Sequence, residues 1–331
     1  MNDKDKCPLL TVVIPTFKRP TFIGRAIESA LIAAPEGDVE IIVVPNGSDT
    51  SWRAAADEFC QDHRIHWSPL KEGNACKARN HGLALASGKY IRFLDDDDYF
   101  YPAAAEQLVE LRAAAADISS APVCNISFNN VLLSTNTIPD SSDYLSASLL
   151  SVRLSLSEGS IFLRQSIGSA RWREDTALYE DYLWMLEHSK TRDPLWVKFD
   201  RPVCAYVHHF GARLSYATRT SFNSRQMVAP ILGLHKQLVH SKRLSAERSH
   251  AIAVALLSHA HSAFPNSPLY LSSVILTAHQ IDFTARPAQA FFLHHSMLAR
   301  HILAVEWLML LPRIVTRTIR RLIWRTGEIF T

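Results

Sequence analysis

Between residues 9 and 95 the chain alternates short β-branched apolar runs with segments whose apolar positions recur at helical spacing. The runs at about 9–14, 39–45, 64–68 and 89–95 predict strands. Helices are predicted at about 21–34, 50–61 and 75–86, with another starting after Pro102. A β-α-β-α-β-α-β order predicts a parallel sheet wrapped by helices. Ligands settle at the carboxyl ends of strands in such sheets, so Pro15-Thr16, Pro45-Asn46 and the run Asp95 to Asp98 should converge on one crevice.

The pattern is less regular from about 117 to about 210. Strands are expected near 123–128, 159–163 and 203–207 and a helix near 179–189; this part is expected to complete the sheet. From about 221 onward the chain reads as helices broken at Pro265, Pro268, Pro287 and Pro312, without an internal repeat or low-complexity linker. The expected division is an α/β domain over 1–215 and a helical C-terminal region over 216–331.

At 331 residues, 47% hydrophobic and 20% charged, the chain has the composition of a soluble globular protein able to bury a sizeable core. Its net charge of +3 is unevenly placed. From Arg300 onward six arginines (300, 313, 317, 320, 321, 325) face only Glu306 and Glu328, so the basicity belongs to the tail. The five cysteines are widely spaced, with no CxxC pair, and read as reduced intracellular thiols. The first apolar run stops at Pro15, too short for a signal-peptide core.

The segment from Tyr90 to Pro102 sets Asp95, Asp96, Asp97 and Asp98 at the end of an apolar strand. Such a cluster repels itself unless a divalent cation sits among the oxygens, and hard Mg²⁺ or Mn²⁺ prefers a few carboxylates plus the phosphates of a substrate. Taken alone, a solvated loop whose aspartate caps the following helix explains it equally well.

Its neighbours decide between these readings. Val12-Val-Ile-Pro-Thr-Phe-Lys-Arg19 opens the chain, Glu72-Gly-Asn-Ala-Cys-Lys-Ala-Arg79-Asn80-His-Gly82 leads into Ala86-Ser-Gly88-Lys-Tyr-Ile-Arg-Phe-Leu, and the acidic run follows. In this order they resemble the family 2 inverting glycosyltransferases of GT-A fold, over roughly residues 9 to 215. The resemblance implies an α/β/α sandwich on a Rossmann-like mixed sheet, with the later helices as an appendage. It places Pro15, Thr16 and Arg19 against the nucleoside of a nucleotide-diphosphate sugar donor and Arg79 near the base and diphosphate. It reads Asp95-x-Asp97 as the family's DxD motif, with Asp97 the main ligand of Mn²⁺ or Mg²⁺, Asp95 beside it, and Asp96 and Asp98 in contact with the donor.

One stretch departs from the family. Where relatives carry two aspartates before Gly-Ser, this chain has Val44-Pro45-Asn46-Gly47-Ser48. Asn46 can pair with the base through its amide, or Asn46-Gly47 is simply a turn.

Tyr179-Glu180-Asp181 resembles the family's Glu-Asp signature, which makes Asp181 the catalytic base that takes the acceptor's proton. An isolated Glu-Asp would read as ordinary first-turn helix residues. Here Arg171-Trp-Arg-Glu174 before it and Leu-Trp-Met-Leu after it match the family layout. In the run Tyr206 to Ser215, His209 is placed to reach the metal or a phosphate and Arg213 to neutralise the leaving group; a structural histidine pair at a strand end is the competing account.

The tail from Arg313 to Arg325 puts Val315, Ile319, Leu322 and Ile323 on one helical face and Arg313, Arg317, Arg320 and Arg321 on another. Such a helix either lies on an anionic membrane surface or packs with its basic face in water. Other histidines, His294-His295 included, read as solvated or capping. No basic stripe with interleaved aromatics points to nucleic acid. The expected activity is metal-dependent, inverting transfer from a nucleotide-diphosphate sugar to a glycan or lipid-linked acceptor, in cell-surface polysaccharide or glycolipid synthesis. The expected place is the cytoplasm, peripheral on the membrane's inner face. A non-catalytic nucleotide-sugar or glycan-binding module on the same fold is the alternative.

Overall fold

The computed structural model describes residues 7–150, 157–176, 179–209 and 224–327. They form two compact units, divided at Thr220/Ser221.

The first unit begins with strands β1 (Leu10–Thr16), β2 (Val39–Pro45), β3 (Ile65–Trp67) and β4 (Tyr90–Phe93), separated by helices α1 (Pro20–Leu31), α2 (Arg53–Glu58) and α3 (Ala75–Leu85). These are the strands and helices expected from the apolar spacing. Only α2 is markedly shorter, because Asp49 accepts the Ser51 N–H at 2.9 Å and holds that stretch as a turn. The chain continues through β5 (Tyr99–Phe100), α4 (Ala103–Ala113), β6 (Ile118–Ser120), β7 (Val123–Ser127), β8 (Leu132–Asn136) and α5 (Tyr144–Leu150). Then follow β9 (Ser160–Leu163), α6 (Arg164–Ile167), α7 (Glu180–Ser189), β10 (Trp196–Lys198) and β11 (Cys204–His208).

Seven strands make one sheet in the order β10-β6-β9-β4-β1-β2-β3. Here β1 runs parallel to β2 and β4, whereas β9 is antiparallel to both β4 and β6, so the sheet is mixed. Both faces are covered, which is why β1 is apolar at nearly every position. Val12 and Ile14 pack with Ile23 and Ile27 of α1 and Leu108 of α4. Val13, on the opposite face, packs with Ala78 and Leu83 of α3 and with Trp172 and Trp184. A Cβ at Gly82 would lie 2.4 Å from the Val13 side chain, so α3 approaches β1 this closely only with glycine there.

The expectation that the later strands complete this sheet needs correction. Only β6, β9 and β10 join it; β7 and β11 form a second sheet with β5 and β8, in the order β5-β11-β7-β8. The pair β5 and β11 is antiparallel and ties the segment after the acidic run to the strand leading to His209.

The second unit is helical: α8 (Ser224–His240), α9 (Ala246–Ala263), α10 (Pro268–Ile281), α11 (Ala290–His294), α12 (Ser296–Ala299), α13 (Ile302–Leu308) and α14 (Leu310–Gly327). The helices break at Met309, just ahead of Pro312, as expected. Pro312 stands in the first turn of α14, where a backbone N–H is not needed. Glu306 is buried and meets His261 and, at 2.5 Å, Arg313; Arg317 reaches Asn266 and the Ser262 carbonyl. Two of the tail's arginines are thus held by their own unit, while Val315 and Ile319 of the apolar side are exposed. Among the described residues no helix is long and apolar enough to cross a membrane, and the five cysteines are free.

Candidate active site

The parallel register sets Thr16 beside Pro45 and Val13 beside Phe93, so the ends of β1, β2 and β4 open at one edge of the sheet. Asn46 is buried there, and its backbone and side-chain N–H groups both donate to the Thr16 carbonyl at 3.0 Å. The amide thus pins the turn to β1, and Gly47 follows at φ +77°, the conformation glycine accepts most easily.

The chain leaves β4 through the acidic run, and each aspartate has its own set of partners, with Arg19 shared by Asp96 and Asp97. Asp95 accepts from Arg79 Nη2 at 2.5 Å. Asp96 is buried and accepts from Arg19 Nη1 at 3.0 Å and from the Phe17 N–H at 3.3 Å. Asp97 Oδ2 lies 2.6 Å from Arg19 Nη1 and 2.7 Å from His209 Nε2, and the Asp97 carbonyl accepts from Arg25 at 2.9 Å. Asp98 Oδ1 accepts the Val207 N–H at 2.8 Å, which ties the run to β11.

Arg79 is the buried cation of the site. It projects from α3 with its guanidinium 4.5 Å over the Trp172 ring and 3.8 Å from Glu180. Asn80 fixes this arrangement. Its side chain accepts the Trp172 N–H at 2.8 Å and donates to the Trp172 carbonyl and to Glu174, both at 2.9 Å. Trp172 in turn stacks on Trp184 of α7 at 5.0 Å, and α7 begins with Glu180 and Asp181. Tyr179, just before it, has φ 60°, an uncommon conformation for a bulky side chain that turns the chain sharply into the helix.

Burial and crowding shift the acids upward. The Asp181 carboxyl is pushed up to about 8 by burial, with Glu180 and Asp95 adding to it and Arg79 opposing. Burial likewise raises Asp96 to about 7 against the pull of Arg19, and raises Glu180. Glu158, in the turn before β9, is raised well above the carboxylate range by burial and by Asp95, Asp181 and Asp98.

Asp95, Asp98 and Glu158 each offer a carboxylate oxygen, and the three atoms lie within 4.8 Å of one another. Oxygens on opposite sides of Mg²⁺ stand about 4 Å apart, given bonds of about 2.1 Å. Glu158 Oε2 is buried without a hydrogen-bond partner among the described residues. A hard divalent cation fits this donor set.

Comparison with known proteins bears on the family and the fold. Residues 11–151 match the sequence profile of Glycosyl transferase family 2. That stretch, under half of this chain, is similar to family 2 glycosyltransferase domains. The uncharacterized glycosyltransferase EpsJ of Bacillus subtilis (strain 168) is 36% identical over 104 residues, which span 31% of this chain and 30% of EpsJ. The uncharacterized glycosyltransferase YibD of Escherichia coli (strain K12) is 27% identical over 249 residues, 74% of this chain and 64% of YibD. Among solved structures, S. aureus TarS 1-349 in complex with UDP-GlcNAc aligns with a TM-score of 0.62 at 17% identity, over 82% of this chain and 79% of that one. The mannosyltransferase PcManGT from Pyrobaculum calidifontis, in complex with GDP-Man and Mn²⁺, aligns with a TM-score of 0.50 at 14% identity, over 93% and 88%. The fold is GT-A.

The profile match of the family 2 domain takes in Pro15, Thr16, Arg19, Asn46, Arg79 and all four aspartates; Asp181 and His209 lie beyond it. Arg19, Asp96, Asp97 and His209 form one cluster, and Arg79, Asp95, Glu180 and Asp181 another. Arg213 lies outside the described residues. Sequence reasoning missed Glu158, whose only local signal is an acid set among small and apolar residues ahead of a strand. It also missed Arg25, which holds the Asp97 carbonyl.

Proposed function

We propose that this domain transfers a sugar, with inversion, from a nucleotide-diphosphate donor to an acceptor hydroxyl. The observation that carries the reading is Asp181. Its Oδ1 is buried with no hydrogen-bond partner among the described residues, in the field of Arg79, Glu180 and Asp95. A carboxylate left open in this way can accept a proton from a hydroxyl oriented against it.

As the acceptor oxygen forms its bond to the anomeric carbon, Asp181 takes that oxygen's proton. The bond from the anomeric carbon to the diphosphate breaks with its electron pair passing to the leaving group, and attack from the opposite face inverts the centre. Arg79 supplies positive charge toward the departing diphosphate, and Arg19 lies toward the nucleoside. Pro15, Thr16 and Asn46 line the nucleoside side, and Arg213 is assigned to the leaving group with His209 near it. Asp95 and its neighbours in the acidic run, among which the DxD reading names Asp97, would hold Mn²⁺ or Mg²⁺, which would supply charge neutralisation for the diphosphate. The ligands of TarS and PcManGT, UDP-GlcNAc in one and GDP-Man with Mn²⁺ in the other, support a donor of this class.

A glycan or lipid-linked acceptor and a role in cell-surface polysaccharide or glycolipid synthesis follow from the same reading. A peripheral place on the inner face of the cytoplasmic membrane is supported by α14, whose Ile314, Val315 and Ile319 are exposed.

Asp181→Asn is expected to lower transfer by about 10²–10⁴-fold, the range of a positioned general base. Stabilisation by a cognate nucleotide sugar with Mn²⁺, read by thermal shift, should persist in that variant. Unchanged turnover in the variant would overturn the assignment.

A further inference from the structure

Helices α11 to α13 of the second unit carry apolar side chains on two sides. Phe292 of α11, Ala299 of α12 and Ile302 and Val305 of α13 are buried and anchor these helices. Leu293, Met297 and Leu308 stand on the same helices and are exposed, Met297 at 80% and Leu308 at 79%. Leu311, Ile314, Val315 and Ile319 of α14 continue the exposed set at spacings of three and four residues, which puts them along one side of a helix.

An amphipathic surface helix of a soluble protein turns its apolar side to the core. Helix α14 does the reverse. Its Arg313 donates to the buried Glu306 and to the His261 carbonyl, both at 2.5 Å, and its Arg317 donates to Asn266 at 2.9 Å and to the Ser262 carbonyl at 2.8 Å. These bonds hold the cationic side inward and turn the apolar side out, with Leu311 at 71% exposed. An apolar stripe of this length is unfavourable in water, so the arrangement calls for a cover.

The charge around the stripe indicates what the cover is. Between residues 283 and 327 stand seven arginines, no lysine and one acid, Glu306. That acid is buried against His261 and Arg313. A second copy of the chain docked by the same face would set arginine against arginine. An anionic bilayer takes both the apolar side chains and the cations.

We propose that Met297, Leu308 and Leu311, with the outward side of α14, form a docking face that enters the boundary between headgroups and acyl chains of an anionic bilayer. This rests on the peripheral placement proposed above and names the side chains that carry it. Arg313 and Arg317 fix the orientation of the helix rather than bind lipid.

The test is flotation of the full chain with vesicles of phosphatidylcholine alone and of phosphatidylcholine with an equal part of phosphatidylglycerol. The wild type is expected to bind the mixed vesicles, and the neutral ones at least about tenfold more weakly. L308S/L311S should bind the mixed vesicles at least about tenfold more weakly than the wild type, at unchanged Tm because both side chains are exposed. M297S, on a different helix, should weaken binding in the same direction. Wild-type affinity in L308S/L311S, or equal affinity for the two kinds of vesicle, would overturn the assignment. So would self-association of the wild type in sedimentation velocity that L308S/L311S abolishes, since the cover would then be a second copy. The two readings fail separately: a wild type that binds neither vesicle removes the peripheral placement itself, whereas wild-type binding that L308S/L311S retains removes only this face.

Discussion

Two sets of carboxylates in the same unit behave in opposite ways. Asp95 to Asp98 are adjacent in the chain yet differ in their partners: Arg79, Arg19 with the Phe17 N–H, His209 with Arg19, and the Val207 N–H, only Arg19 being shared. Glu158 comes from the turn before β9 and Glu180 and Asp181 from the first turn of α7, yet with Asp95 they share one electrostatic neighbourhood. The run is a turn closed by the Asp98 N–H on the Asp95 carbonyl at 3.1 Å and its carboxylates go to different partner sets, whereas packing of α7 and the turn before β9 against the end of β4 brings acids from distant segments together. A run of acids in sequence is thus a poor guide to which acids act together.

The comparison turns on Arg79, the buried cation beside Asp95 and Glu180. Its charged form is kept by Asp95, Asp181 and Glu180 against a large burial penalty. Arg79→Met should break the gathered set while leaving the Arg19–Asp97–His209 cluster in place. The expected loss is at the lower end of the roughly 3–5 kcal/mol for breaking a buried pair, since the Asp95 side chain is 32% exposed. Urea unfolding measures it. A loss below about 1 kcal/mol, the worth of an exposed pair, would show that the gathered acids do not depend on a common counter-charge.

The next effect is on pH dependence. Asp181 is raised from its ordinary 3.8 to about 8, and a base works only when ionised. The kcat/KM for transfer should therefore fall about tenfold per pH unit as pH drops below about 8, and level off above it. Stability runs the other way. The fold favours the protonated form, so the stability that Asp181 contributes is complete below its ordinary value and is lost as pH rises through about 8. Asp181→Asn should flatten that part of the stability profile, followed by denaturant unfolding at several pH values. Asp96, Glu180 and Glu158 are raised as well and keep some slope in the variant, so only a slope unchanged from the wild type would assign the shift to another acid.

The smallest expected effect sharpens the boundary between the two sets. Asn80→Ala removes the bonds that join α3 to the Trp172–Glu174 segment and leaves the Trp172 N–H and carbonyl without that partner. A cost of about 1–3 kcal/mol is expected. The ion pairs of Arg19 should be untouched, so loss of transfer is expected to exceed loss of nucleotide binding, measured by comparing turnover with thermal shift in Mn²⁺ and a nucleotide.

Much of the first half of the chain was legible in advance. Strands β1 to β4 are apolar runs bounded by Pro15, Pro45 and the acidic run, and their spacing left room only for helices. The convergence of Thr16, Asn46 and Asp95 at one edge followed from parallel topology. The strands β5, β6, β8 and β10 escaped notice, being two to five residues long. Too short to show a period, they are held by pairing with distant segments. The tail was legible as an amphipathic helix, but which side faces outward was not, because that depended on the buried Glu306 and on Asn266.

The sequence by itself determined the order of elements, the place of the acidic run at the end of a buried strand, and the family resemblance that singles out Arg79, Asp95 to Asp98 and Asp181. These are properties of local spacing, and local spacing is written along the chain. The tertiary structure alone decided that later strands divide between two sheets, that Asp97 turns to Arg19 and His209, and that Glu158 joins Asp95 and Asp98. Those choices depend on which distant backbones pack within a few ångströms of one another, a distance no period or motif encodes.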